Sequence, residues 1–568
     1  MKKRIIIYIV IAILAIIISL PLLREDFNIY RDDGLQHVAR LMGTYQSITE
    51  GQNFPVIMSN FCNSFGYSWN LFYSPVTTYV PLLLHFLTHS FILDLKCFMI
   101  LVTFLSGIAM YEFVYKVTKN RCTSLLSAIL YILAPYRLTD MYLRIAVAEL
   151  ASFVFLPMVF QGAYTLFSDA EEDKKKIGGL LIIGATGLIL THLVIALYTA
   201  IIGFFYVLIH IKKLKDTAIL KKLIIIVLGT LCVTSFFWAP MLEHKDKVQY
   251  EVFKQGRMER TDVLIQKKLE GIDLIYTQKG KLSFEIGLVT LIGLVLTILV
   301  FDKVEQRYRK IYAFSLITGA ISILMTLKCF PFEKLPEILK MLQFSFRMLE
   351  FEIFFLSFAV AVNYTIIIKR FNMKDVCILT LIAFLLIIPL TKCLTYTEKR
   401  IDEKNIWPAV RVTSKTGRVH AGCATFEYLP SKAFDHLEYI KLRENKVYIL
   451  KGEAQIQDEY KNGTNMSFQL NQAQSGTILE LPYIYYLGYS ITLENEKGKT
   501  ILEPYESENG FVAIHLNGTE KGRINVTYTG TNIMKGGMVV SILSLSGMVL
   551  YIYVCKRTKM NIDKSESN

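Results

Sequence analysis

The chain has 568 residues, of which 53% are hydrophobic, with a formal net charge of +14 and a mean hydropathy of +0.40. That is too apolar for a soluble protein of this length, and repeated apolar runs of spanning length predict a polytopic membrane protein. The basic excess falls in short clusters between those runs, which fits cytoplasmic loops and argues against nucleic acid as a partner. The nine cysteines form no CxxC pair and lie mostly in apolar runs, so the sequence points to neither a disulfide framework nor a zinc site.

Met1-Lys2-Lys3-Arg4 precedes a long apolar run with no small-residue cleavage site, which reads as an uncleaved first span. Apolar runs predict about twelve spans, near 5–23, 97–115, 122–136, 150–168, 178–192, 193–211, 223–241, 285–301, 312–328, 349–368, 376–393 and 536–555. Basic clusters at 2–4, 116–121, 174–176, 212–222, 303–310, 369–374 and 556–559 bracket them in pairs. The positive-inside rule then places both termini in the cytoplasm. The apolar stretch 75–93 would break this parity if it spanned. It carries Pro75, Pro81, His85 and His89, and reads as a helix lying in the outer interface.

Segments 24–96, 137–149, 242–284 and 394–535 are then expected to face outward. The last shows short alternating runs such as 447–450, 467–470, 477–481 and 523–528, with turn signals at Asn462-Gly463 and Asn517-Gly518. This predicts a β-sandwich-like domain. The expected fold class is therefore a mainly α polytopic membrane protein with an extracytoplasmic C-terminal β-domain. Its parts are a transmembrane domain at 1–393 with a first outer loop at 24–96, the β-domain at 394–535, and a final span with a cytoplasmic tail at 536–568.

The first outer loop opens with Arg31-Asp32-Asp33-Gly34, followed by His37 and Arg40. Ionisable groups next to a membrane are costly and mark a candidate site. Adjacent carboxylates repel, so Asp32 and Asp33 suit a general base or a shared divalent cation, magnesium or manganese. On a helix starting near Asp33, that residue, His37 and Arg40 share a face, and Asp33 also suits an N-cap. The plainer reading is a capped surface helix. Arg144 can hold a phosphate or carboxylate, and Glu149 opens the next span, where a carboxylate also suits the helix dipole. His192 sits where two apolar runs meet, in a setting that equally suits a hydrogen-bonded structural histidine. Gln343, Arg347 and Glu350 recur at helical spacing, with Arg347 as an anion ligand or as half of a surface pair with Glu350. No Walker loop, dinucleotide fingerprint, HExxH or GxSxG motif occurs.

An acidic pair after span one, interfacial helices and a second polar loop between spans three and four resemble the GT-C superfamily of membrane glycosyltransferases. Within it, the chain is similar to bacterial YfhO-like proteins and to 6-pyruvoyl-tetrahydropterin synthase-related membrane proteins, a label that implies no pterin chemistry. The matching pieces are Gly51-Gln52-Asn53-Phe54-Pro55, Phe65-Gly66-Tyr67, Phe72-Tyr73-Ser74-Pro75, Tyr142-Leu143-Arg144, Ala148-Glu149, Gln343-Phe344-Ser345-Phe346-Arg347, Glu427-Tyr428-Leu429-Pro430 and 481–489. Ser345 and Leu487 stand where the group usually has proline. The resemblance implies a bacterial plasma-membrane enzyme that moves a sugar from a polyprenyl-phosphate carrier to an envelope glycan or polymer, with membrane lipid as a further partner. Asp32 or Asp33 would be the base, Arg144 and Arg347 would hold the phosphate, and His37, Arg40, Glu149, His192 and Gln343 would line the site. A transporter of lipid-linked sugars and an envelope-polymer-binding protein remain as alternatives from other classes.

Overall fold

The computed structural model describes the chain except residues 1, 26, 31, 171–172, 174–177, 255–267, 278–281, 372–386, 388–390, 392–425, 519 and 566–568. It divides into two compact units. One is Met1–Met42, Ser74–Leu223 and Gln255–Ile406; the other is Gly43–Tyr73, Ile224–Lys254 and Trp407–Asn568.

The first unit is helical. Among the described residues of both units, five helices are long and apolar enough to cross a bilayer: Lys3–Leu23, Phe91–Thr118, Val147–Leu166, Ser345–Arg370 and Asn532–Leu550. Two bent pairs raise the number to seven if each is one span. They are Arg121–Ile132 with Pro135–Arg144, bent by 43°, and Thr217–Val233 with Ser235–Lys247, bent by 70°. The expectation of twelve spans is thus corrected, because apolar run length overstates helix length. The run at 178–192 folds as Gly179–Ile189, 11 residues or about 16 Å. The run at 285–301 breaks into Leu288–Val295 and Thr297–Val300. Leu193–Ile209 falls short at 17 residues. Gln306–Thr326 has the length, but Arg307, Arg309 and Lys310 crowd its start. The expected span 376–393 lies outside the described residues apart from positions 387 and 391. The stretch 75–93 contains the short apolar helix Val76–Thr88.

Small residues let these helices approach closely, as helices in a bilayer require. A Cβ on Gly184 would lie 2.8 Å from the Val159 backbone nitrogen, and one on Gly162 would lie 2.7 Å from that of Leu181. Phe113, Phe160, Phe354 and Phe355 then fill the centre with edge and tilted ring contacts.

The second unit carries the strands. A four-stranded antiparallel sheet has the order β1-β4-β8-β7 and a five-stranded one the order β2-β3-β9-β5-β6. The strands are β1 (Tyr448–Lys451), β2 (Ala454–Asn462), β3 (Asn465–Ala473), β4 (Thr477–Ile484), β5 (Tyr489–Asn495), β6 (Gly498–Leu502), β7 (Tyr505–Glu506), β8 (Phe511–Leu516) and β9 (Gly522–Tyr528). Asn462 pairs with Asn465, so Gly463 and Thr464 form the expected two-residue turn, with Gly463 at φ +59°. Alternation places Phe468, Leu470, Ile524 and Val526 in the interior, all fully buried. In the helix Asn532–Ser565, Val539, Ile542, Leu543 and Leu545 are exposed, as lipid-facing side chains are.

Candidate functional site

The site begins with a turn that ends the first connection. Asp32 adopts φ +40°, and the Asp33 amide donates to the Arg144 carbonyl at 3.0 Å. Gly34 opens the helix Gly34–Thr49 at a point where no side chain fits. A Cβ there would meet the Ile29 oxygen at 1.9 Å and the Ile145 Cβ at 3.1 Å. This close approach sets Asp33 beside Arg144.

Arg144 is delivered by a rarer element. Pro135 starts the short helix Pro135–Thr139, which passes into a π-turn over Asp140–Arg144. The amides of Ile145 and Ala146 both donate to the Asp140 carbonyl, and Ile145 ends the turn at φ +51°. A β-branched residue in the left-handed region is strained, and such strain gathers at functional sites.

Around Arg144 the polar groups are buried and dense. Its Nη1 donates to Asp140 Oδ1 at 2.5 Å, Glu149 Oε2 at 2.6 Å and the Tyr136 hydroxyl at 2.9 Å. Tyr136 donates in turn to Glu149 Oε1 at 2.9 Å. Arg347 Nε lies 3.4 Å from the same Glu149 oxygen. Ser152 donates to Glu350 Oε1 at 2.6 Å. Asp140 Oδ2 and Glu350 Oε2 are buried and have no hydrogen-bond partner among the described residues. Four acids, Asp33, Asp140, Glu149 and Glu350, thus stand with two arginines in one buried cluster.

Beside this cluster lies a cavity of about 410 Å³, lined by Asp32, Asp33, Arg144, Lys268, three phenylalanines and two leucines. Phe284, Phe344 and Phe346 form a stacked wall, with ring centroids 4.7 and 5.0 Å apart. The Arg144 guanidinium sits 5.0 Å over Phe346. Burial raises the pKa of Asp33 to about 6; Arg144 opposes the rise and Asp32 adds to it. A carboxylate poised there can take a proton near neutral pH. Among the described residues no group of three or more His, Cys, Asp or Glu could hold a metal ion. Asp32 and Asp33 make only a pair, with Arg144 and Lys268 also lining the cavity, so they form no all-protein cage for magnesium or manganese.

The structure thus brings Asp32, Asp33, Arg144, Glu149, Arg347 and Gln343 into one region. Gln343 accepts from Arg347 Nη1 at 2.8 Å, but from a loop position at φ +67°. The expected helical face of Gln343, Arg347 and Glu350 is corrected to this loop followed by the turn Ser345–Met348. The surface pair of Arg347 with Glu350 is corrected too: Glu350 is buried on Ser152, and Arg347 turns to Glu149. Arg40 points elsewhere, donating to the Ser74 carbonyl and the Thr77 hydroxyl. His37 does not line the cavity. Burial, then Arg40, lowers its pKa to about 3, leaving it uncharged at neutral pH. His192 caps the helix Leu193–Ile209, its Nδ1 accepting from the Ile195 amide, within electrostatic reach of Arg347 and Glu149. Arg31 lies outside the described residues. Sequence reasoning marks the segment that holds Tyr136 and Asp140 but gives these two no role, and it misses Ser152, Lys268 and the phenylalanine wall. Asp140 stands four residues before Arg144, the one signal that could have found it.

Helices of spanning length, close glycine contacts and a buried ionic cluster beside a cavity define an integral membrane protein. The profile of a family described as 6-pyruvoyl-tetrahydropterin synthase related domain, membrane protein, matches residues 71–398, more than half of the chain. The chain belongs to this family of membrane proteins. It is also 25% identical, over 612 aligned positions, to a Lactococcus lactis subsp. cremoris (strain MG1363) protein described as uncharacterized, covering 98% of this chain and 97% of that one.

Proposed function

We propose that this protein is a GT-C-like glycosyltransferase of a bacterial plasma membrane, moving a sugar from a polyprenyl-phosphate carrier to an envelope acceptor on the outer face. The observation that carries the reading is Asp33, a half-buried carboxylate with its pKa raised to about 6, fixed next to Arg144 at a cavity of about 410 Å³. Asp33 takes the proton of an acceptor hydroxyl as its oxygen attacks the anomeric carbon. The bond from that carbon to the carrier's phosphate oxygen breaks, and the polyprenyl phosphate leaves with the electron pair. Arg144 faces the charge that builds on the phosphate. Glu149 and Tyr136 hold its guanidinium in place, and Arg347 steadies Glu149.

The transporter reading expects charges in the middle of spans. Four buried acids instead stand in first turns: Asp94 in Phe91–Thr118, Glu149 in Val147–Leu166, and Glu350 with Glu352 in Leu349–Phe371. The test compares lipid-linked sugars and envelope glycans in cells with wild-type protein or Asp33→Asn at equal membrane levels. Loss of a general base should lower transfer by roughly 10²–10⁴-fold and leave the polyprenyl-phosphate sugar to accumulate. Unchanged pools would overturn the transfer reading and favour a binding role.

A further inference from the structure

We infer that Lys268, not Arg347, is the second cation of the cavity, and that with Arg144 it binds a phosphate oxygen. Leu269 is fixed by backbone pairing with the end of the helix Gln306–Thr326: its amide donates to the Thr326 carbonyl at 2.9 Å, and its carbonyl accepts from the Lys328 amide at 3.0 Å. That pairing holds Lys268 at the cavity lining, with its side chain only 4% exposed. An ammonium has three protons to donate. Two are held among the described residues, by the Phe330 carbonyl at 2.7 Å and Glu333 Oε1 at 2.9 Å. Glu333 is half-exposed and tied to Lys268 by this ion pair. It acts as a removable counter-ion that a phosphate can replace. Lys268 also lies 5.7 Å over the Phe332 ring, which keeps a desolvated cation on this side.

Arg347 is differently placed. Its Nη1 is committed to the Leu342 carbonyl and Gln343, its Nε faces Glu149, and it does not line the cavity. It is a positioning residue. The cavity lining combines two carboxylates, Asp32 and Asp33, two cations, Arg144 and Lys268, and the phenylalanine wall. An uncharged sugar ring attached to a phosphate matches that set of groups: hydroxyls for the carboxylates, an apolar ring face for the aromatic wall, the anion for the cations. The proposal rests on the transfer reading only for what carries the phosphate.

The test uses purified full-length protein in detergent, with inorganic phosphate and a short-chain polyprenyl phosphate as probes and calorimetry as the readout. Lys268→Gln should weaken polyprenyl-phosphate binding at least tenfold, and Lys268→Arg should stay within threefold of wild type. Glu333→Gln, a surface change that spares the fold, should tighten binding about threefold to tenfold by removing the competing carboxylate. Wild-type affinity in Lys268→Gln, unchanged or weaker binding in Glu333→Gln, or binding of neither probe by the wild type would each overturn the assignment. Equal Lys268-dependent binding of both probes supports the anion site and removes the lipid chain from the transfer reading. Binding of the lipid phosphate alone supports both. Full transfer by Asp33→Asn, with phosphate binding still lost in Lys268→Gln, would overturn the base and leave Lys268 standing.

Discussion

Each unit buries an arginine against acid, one carboxylate in the one case and several in the other, and the two arrangements differ in completeness. In the strand-bearing unit, Arg443 and Glu480 are both fully buried and every group is answered. Glu480 accepts from Arg443 Nε at 3.2 Å, Tyr439 at 2.6 Å, Ser507 at 2.6 Å and Asn509 at 3.1 Å. The remaining Arg443 nitrogens donate to the carbonyls of Glu444, Lys446 and Glu480, and Tyr448 and Phe511 cover its plane. In the helical unit, Arg144 faces an excess of acids, two buried carboxylate oxygens lack partners among the described residues, and the cluster borders a cavity. A satisfied buried pair fixes a fold; an unfinished one beside a cavity is equipped to meet a ligand.

The largest effect that tests this contrast is on Arg443. Arg443→Ala leaves Glu480 buried without its charge partner and should cost about 3–5 kcal/mol, read by chemical denaturation, with no change in phosphate affinity per folded molecule. A strong loss of phosphate affinity in the folded fraction would break the division between a structural and a functional arginine. Gly34→Ala comes next. The new methyl meets the Ile29 oxygen and Ile145, so about 1–3 kcal/mol of stability should be lost. Transfer should fall further than stability explains, because Asp33 shifts from Arg144; retained transfer would mean that the close approach does not position the base. The smallest effect is on pH. With a pKa of about 6, Asp33 is deprotonated above that pH, so transfer should plateau there and fall about tenfold per unit below it.

The linkage of the same group to stability has the opposite sense. Its pKa is raised on folding from 3.8 to about 6, so its favourable contribution is complete below 3.8 and is lost as pH rises through about 6. Asp33→Asn should therefore gain stability relative to wild type at pH 8 but not at pH 4. Equal differences at both values would show that Asp33 is not held in a desolvated place.

The amino-acid sequence by itself determined the membrane class, the strand-rich C-terminal region and the charges that stand out against apolar neighbours. Asp32, Asp33, Arg144, Glu149 and Arg347 were legible for that reason, since an ionisable group beside an apolar run is expensive wherever the run ends. The turn at Gly463 was legible because its chemistry is local. Helix lengths were not, because apolar composition does not register the bend at Pro135 or the break after Ile189, so twelve runs became five to seven candidate spans. Arg40 and Arg144 look alike as isolated residues. Only the tertiary structure sent Arg40 to Ser74 and Thr77 and gave Arg144 its acids. Lys268, Phe284 and the pair Phe344 and Phe346 come together at one cavity across chain separations that no local pattern encodes. Burial and partner choice, which decide whether a charge is a brace or a ligand, are properties of packing.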